Sequence, residues 1–405
     1  MSPFYQSLKH GRFMLIYLII LTALVSRTPE LIAQERRTLA WPEVARKIVA
    51  RLSLEPGERV IVIAHPDMFQ DLVPHLRYEV IKTGGIDLGV INILASSAPI
   101  PWETGIIEPS YGSSRAVYRR MFEEVDAGIM LPGAVPAHPA YAALQERLKS
   151  GQGRTIHIHW TEDNSVIPLP GQPVPSLYEI DGIYQSVLLN TNYGALSRIQ
   201  RRFERALRKG EVHVATPLGT DLRFQVGSRP VNRQDGDASA RRADAGVILI
   251  DREIELPAGV IRVAPVEETV SGIIAFPPSQ WDGRPVQGLR LRFEKGQVIE
   301  ITADTGEDHV RAEMDKAGAA GRYFREFALG FNPELTIPDH RPWIPYYGYG
   351  AGVIRLSLGD NSELGGAVSG GYVRWNFFTD STIAVGNEVW VEKGKLVMPV
   401  TDDGE

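Results

Sequence analysis

The sequence predicts an α/β protein in two parts: an N-terminal domain on a parallel sheet, then a mixed, β-rich α+β domain. Three observations lead there. Between Trp41 and Leu207, short β-branched runs alternate with amphipathic helical stretches, the pattern of βαβ units. After Gly210 the chain turns to short strands punctuated by Gly-Thr-Asp, Pro-Ala-Gly and Lys-Gly, which is antiparallel hairpin chemistry. At 405 residues the chain is also too long for one small core. The boundary is expected near Lys209, giving domains at 34–209 and 210–405 behind a leader at 1–33.

The first domain reads element by element. WPEVARKIVARLSL is a helix with Pro42 in a tolerated first-turn position, and RVIVIAHP is a strand. FQDLVPHLRYEVIKTGG reads as a helix with a glycine stop, although Pro74 is expected to kink or split it. IDLGVINIL, AGIMLPG and RTIHIHW follow as strands, with SRAVYRRMFEEVD and AYAALQERLKSGQG as helices between them. ALSRIQRRFERALRKG is a connecting helix ended by Gly210. Beyond it, VHVATPLGTDLRFQVG, the segment GVILIDREIELPAGVIRVAPVEETVSGIIAF and LRLRFEKGQVIEITAD read as antiparallel strands. EDHVRAEMDKAGAAGRYFREFALG reads as a helical interruption. Two strands then flank a glycine-rich loop, with Arg355 in VIRLSL and Arg374 in YVRWNFF.

Ahead of the first domain, basic KHGR (Lys9–Arg12) precedes the apolar run FMLIYLIILTALV (Phe13–Val25). That run is short for a bilayer span, which needs roughly 20 residues. A basic flank, a short apolar core and a small-residue exit describe a secretory signal, with Ala33–Gln34 as the expected cleavage point. The expectation is export to the periplasm or the outside; the leader acts as a membrane anchor if it is not cleaved. Cleavage would remove Lys9, Arg12, Arg27 and Glu30, moving the net charge from −6 to −8.

Composition closes several routes. With 43% hydrophobic and 23% charged residues the chain is ordinary globular material, not disordered. The acidic balance, with no basic tract beyond RRFERALRK (Arg201–Lys209), argues against nucleic acid. There is no cysteine, so disulfides, thiolate metal sites and cysteine nucleophiles are excluded. LGGAVSGG does not have the spacing of a phosphate loop, and no Gly-x-Ser-x-Gly elbow occurs. His157 and His159 share one strand face, with Glu162 and Asp163 close behind, but such a pair more often sits at an exposed strand end than on a metal. His65 and Asp67 stand where a strand meets a helix, and there a loop cap competes with a ligand site.

In the second domain HVATPLGTDLRFQVGSRPVNRQDGD, ELPAGVIRVAPVEETVSG, FREFALGFNP and GVIRLSLGDNSELGG…YVRWNFF occur in that order. Together with LSLEPGERVIVIAHPD in the first domain, this series resembles the aminopeptidase T family of thermophilic metallo-aminopeptidases, from about Leu54 to the end. The resemblance implies two domains, a homodimer, and a pair of divalent metals (Zn, Co or Mn) in the second domain. A two-metal site needs converging carboxylates and imidazoles that share an ionised water. Carried over by motif, this chain departs almost everywhere. The glutamate of ELPAGVIRVAP falls on Val260, while FREFALG keeps Glu326. Arg355 and Arg374 stand where histidines are expected, Asn376 where an aspartate is, and Ser362 near a tyrosine position.

Arginine stays protonated and has no lone pair to give, so it is not a ligand. The expected site is therefore Glu326, Arg355, Arg374, Asn376 and Ser362, with no metal and no cofactor. Two readings stay open. One is a structural ion-pair cluster in a filled-in site. The other is a pocket for a small anionic molecule or a peptide, gripped by bidentate guanidiniums. The alternative function is an active metal-dependent aminopeptidase with relocated ligands, for instance Glu267, Glu268, His340 or Asp380. A ring-cleaving non-haem iron dioxygenase branch shares the scaffold but needs the same missing His and Asp ligands.

Overall fold

The computed structural model describes residues 37–93, 115–134, 138–160 and 166–397. The run Phe13–Val25, the expected cleavage at Ala33–Gln34, and Glu162 and Asp163 lie outside the described residues. Among the described residues, no helix is long and apolar enough to cross a membrane.

The first sheet holds β1 (Arg59–Ala64), β2 (Ile86–Asn92), β3 (Ala127–Met130), β4 (Arg154–Ile158) and β5 (Glu253–Leu256), in the order β2-β1-β3-β4-β5. All neighbours run parallel. β3 and β4 are buried throughout, which is why they read as apolar runs rather than alternating strands. Pro74 neither kinks nor splits its helix. That helix begins at Val73, so Pro74 lies in the first turn, where its missing N–H has no helical partner to lose.

β5 corrects the expected organisation. It lies beyond Lys209 and reads as half of an antiparallel hairpin, yet it pairs in parallel with β4, from Thr155↔Glu253 to Ile158↔Leu256. After Pro257-Ala258-Gly259 the chain leaves that sheet and enters a second one as β6 (Val260–Val263). One short turn therefore joins the two sheets, and the sheets are not divided at residue 209. Nothing in the local pattern of IEL distinguishes a parallel from an antiparallel partner, because both partners are distant in sequence.

The second sheet is antiparallel. β6 pairs with β7 (Phe324–Gly330), and β7 with β8 (Ile354–Gly359). Asn232–Arg233 flanks β6, while Val373–Arg374 and Phe377–Phe378 flank β8. The helix expected through FREFALG stops at Lys316; a short turn at Ala319–Arg322 follows, and FREFALG itself becomes β7, buried at all seven positions. A short run buried on both faces carries no period by which strand and helix differ. An eight-stranded antiparallel sheet then packs on this one through aromatic rings. Phe224 lies 5.3 Å from Phe327 and Phe293 6.0 Å from Phe324.

Close backbone approach sets the loop that follows β7. A methyl group at Gly330 would stand 2.1 Å from the Gly350 carbonyl, so glycine there lets the 346–350 loop lie against the strand.

Buried Arg154 ties the halves together. Its guanidinium holds Glu58 with both nitrogens at 2.7 Å and donates to the carbonyls of Ala238 (2.7 Å) and Leu52 (3.2 Å). Arg154→Met leaves Glu58 and two carbonyls without their donor, an expected loss of roughly 3 kcal/mol. Urea unfolding should show it as a lower midpoint with unchanged slope.

Candidate functional site

A cleft of about 890 Å³ opens beside β4 and β5, toward the carboxyl end of the parallel sheet, against the face of the second sheet that carries Arg262 and Arg355. The carboxyl edge of an open α/β sheet is a favoured ligand location. His157 and His159 reach it from β4, and Glu253 and Glu255 from β5. Facing them are Arg262, Arg355, Tyr347, Tyr349, Glu363 and Trp375.

Strand register builds the arginine wall. Arg262 and Arg355 both sit opposite Ala328, one on each side of β7. All three side chains therefore share a face, and small Ala328 leaves room for the two guanidiniums to converge on Glu326, two residues back. The pairing of β7 with β8 shifts between Phe324 and Glu326. That bulge leaves Arg325 unpaired, and its side chain joins the same cluster instead of pointing away.

Glu326 is 0% exposed. Arg355 donates to its Oε1 from Nε at 2.9 Å and also from Nη2. Arg262 Nη2 donates to Oε2 at 3.1 Å, and Arg325 Nε lies 3.5 Å from the same oxygen. Glu363 accepts from Arg262 at 2.7 Å and from Arg325. Burial alone would push the Glu326 carboxyl up, but Arg262, Arg355 and Arg325 outweigh it and hold the group well below the usual carboxylate range.

The sequence-predicted residues separate. Arg355 and Glu326 belong to this cluster, whereas Arg374 does not. The register pairs Arg355 with Phe377 and Leu358 with Arg374, so alternation sends Arg374 to the opposite face. There it stacks 3.5 Å over Trp281 and donates to Glu313 and the Gln280 carbonyl. Asn376 stays with it, accepting from Arg374 and donating to the Leu356 carbonyl. Ser362 is spent on Asp360 in its own turn. Trp375, between Arg374 and Asn376, is the residue that faces the cleft.

On the other wall, Glu253 accepts from Tyr141 at 2.8 Å and lies 3.4 Å from His157 Nδ1. The His157 and His159 rings are 4.0 Å apart, and the hydroxyl of Tyr349 donates to Glu255. Both histidines are buried lining residues, not members of an exposed strand end. At the other strand end, His65 Nδ1 accepts from the Asp67 backbone N–H at 3.2 Å, a loop cap.

Sequence reasoning missed Arg262, Arg325 and Glu363. A signal for Arg262 was present: Gly-Val-Ile-Arg occurs at 259–262 and again at 352–355. Two identical strand openings on either side of one strand present identical side chains to the same face.

Residues 192–337 match the profile of the thermophilic metalloprotease (M29) family. The matched segment belongs to that family. It contains Arg262, Arg325 and Glu326 and ends before Arg355. The fold extends the likeness. Wild-type AmpT from Thermus thermophilus superposes with a TM-score of 0.58 at 18% identity, over 88% of this chain and 99% of that one. A 2,5-dihydroxypyridine dioxygenase from Pseudomonas putida KT2440 gives 0.60 at 14% identity, over 89% and 97%. At these identities the likeness establishes the fold alone. No curated protein sequence matches the chain.

The family implies a divalent metal, and the residues here do not fit one. Among the described residues, no three of His, Asp and Glu converge as a cation would require. The one carboxylate retained by motif, Glu326, is ringed by guanidiniums that would repel a dication. Glu267 is committed to Arg229, Asn361 and the Ala367 N–H. Glu268, His340 and Asp380 are exposed on separate segments.

Replacing Glu326 by Gln leaves three buried guanidiniums short of charge, an expected cost of about 3–5 kcal/mol at neutral pH. The native carboxyl is depressed, so its contribution is complete above the unfolded value of about 4.5 and fades as pH falls below it. Denaturation from pH 7 to 3 should therefore show a constant gap between the wild type and Glu326→Gln that narrows only under pH 4.5.

Proposed function

We propose that this aminopeptidase T-like protein binds a small carboxylate ligand, a free acid or a peptide carboxylate, at the Arg262–Arg325–Arg355 cluster without metal-dependent hydrolysis. One observation carries the reading. Arg262 lines the cleft, and its Nε is a buried donor with no hydrogen-bond acceptor among the described residues. A guanidinium only donates, so such a surplus suits a guest rich in acceptors. An unmet buried donor costs about 1–3 kcal/mol, which a purely structural ion-pair cluster leaves unrecovered.

The walls suggest what accompanies the anion. Arg355 sits 5.7 Å from the Trp375 ring centre and 5.9 Å from that of Tyr347. An aromatic or apolar body could lie on those rings while its carboxylate meets the guanidiniums. The metal-dependent aminopeptidase alternative needs ligands that the residues above do not provide.

The same proposal places the protein outside the cytoplasm, on the strength of the N-terminal basic-apolar run, and treats it as a homodimer by analogy with the family.

Two measurements test the reading. Protein dialysed against Zn²⁺ and Mn²⁺ and analysed by plasma mass spectrometry should hold close to no metal; one or two ions per chain would overturn it. Calorimetric titration with benzoate should show saturable binding, about tenfold weaker in Arg355→Lys, which keeps the charge but loses the planar fork. Equal affinity in the two proteins would remove Arg355 from the site.

A further inference from the structure

We infer that Glu363 is a built-in carboxylate that occupies the anion seat, and that ligands bind by displacing it. This rests on the proposed carboxylate site and adds how that site selects its ligand.

Three observations converge. First, Glu363 makes the contacts a ligand carboxylate would make: its Oε1 accepts from both Arg262 and Arg325. It stands between the cleft and Arg325, which is buried and does not line the cleft. Second, Glu363 is the solvent-exposed member of its cluster. Its side chain is 43% exposed, against 0% for Glu326, 3% for Arg325 and Arg355, and 7% for Arg262.

The backbone beneath Glu363 is pinned on both sides. Asn361 is fully buried, donates to Glu267 and exchanges bonds with Val368. Leu364 is also fully buried, in a small apolar cluster with Ile250 and Ala264. Rotation of one side chain therefore opens the seat while the fold stays as it is.

Third, the charges are balanced only while Glu363 is in place. Arg115, Lys149, Arg262 and Arg355 line the cleft against Glu146, Glu253, Glu255 and Glu363. Swinging Glu363 into solvent leaves one cation in excess beside the unfilled donors of Arg262 and Arg325. An incoming carboxylate restores the balance.

Selection follows from the competition. A tethered carboxylate acts at a high effective concentration, about millimolar or more. A bare carboxylate such as acetate offers only what Glu363 already supplies and does not displace it. A carboxylate carrying an aromatic body gains contact with Trp375 and Tyr347 and does. Glu363 thus discriminates against small free acids.

The test titrates acetate and benzoate calorimetrically into the full chain and into Glu363→Gln, an isosteric change that abolishes the competing charge. Benzoate should bind the variant about tenfold more tightly than the wild type, as expected when a seat open a tenth of the time becomes always open. Acetate should bind the variant but not the wild type. Thermal melts supply a second readout, since benzoate should raise the Tm of Glu363→Gln more than that of the wild type. If Glu363→Gln does not fold, Glu363→Ala takes its place in the same titrations. Equal benzoate affinity in both proteins would overturn the displacement while leaving the carboxylate site intact. Absence of benzoate binding in both would overturn the site and the displacement together.

Discussion

The second sheet is organised around one buried carboxylate. Glu326 cannot be ionised at 0% exposure unless compensating charge surrounds it, and the guanidiniums around it cannot be buried without it. Each group makes the others tolerable. That mutual requirement demands that β6 and β8 present arginine at equivalent register on either side of β7, that Ala328 be small, and that a bulge turn Arg325 inward. The polypeptide could not shift β8 by one residue without sending Arg355 to the face now held by Arg374.

A shared fold does not fix what a site contains. A chain related in fold to an AmpT and to a hydroxypyridine dioxygenase shows how far a scaffold can be separated from what its site contains. The site in this chain is set locally: arginine on β8 and on β6, and an aliphatic Val260 at the start of β6. The guanidiniums make that wall of the cleft electropositive. Its charge is spread over planar donors, so it favours acceptor-rich guests and offers no Lewis acid.

The facing wall comes from the parallel sheet. β4 and β5 place two histidines and two glutamates on the cleft, and the turn after β5 feeds directly into β6. The cleft is therefore lined by neighbouring elements of one continuous chain segment as well as by distant ones. Tyr349 couples the walls, since it packs in the loop beside β7 and donates to Glu255. Burial, followed by Glu255, pushes the Tyr349 hydroxyl well above its ordinary range and keeps it a donor.

Alternating strands and helices up to Leu207 were legible because hydrophobic period and glycine stops are local properties. The retained glutamate of FREFALG and the arginine of VIRLSL were legible as a pair because motif order survives in the sequence. The partnership of Arg355 with Arg374 was not. Each lies two residues from a polar neighbour in an apolar strand, and only the pairing of Leu358 with Arg374 shows that they occupy opposite faces. Arg325 was invisible for a similar reason, because adjacent residues on a strand face opposite ways unless a bulge intervenes. The sequence by itself determined the alternating architecture, the absence of thiolate chemistry and the presence of arginine where ligands are expected. Tertiary structure decided which arginines meet, that β5 runs parallel to β4, and that Glu363 lies on the cluster. The first two depend on strand register and the third on loop packing, between segments far apart in the chain, and no local preference records either.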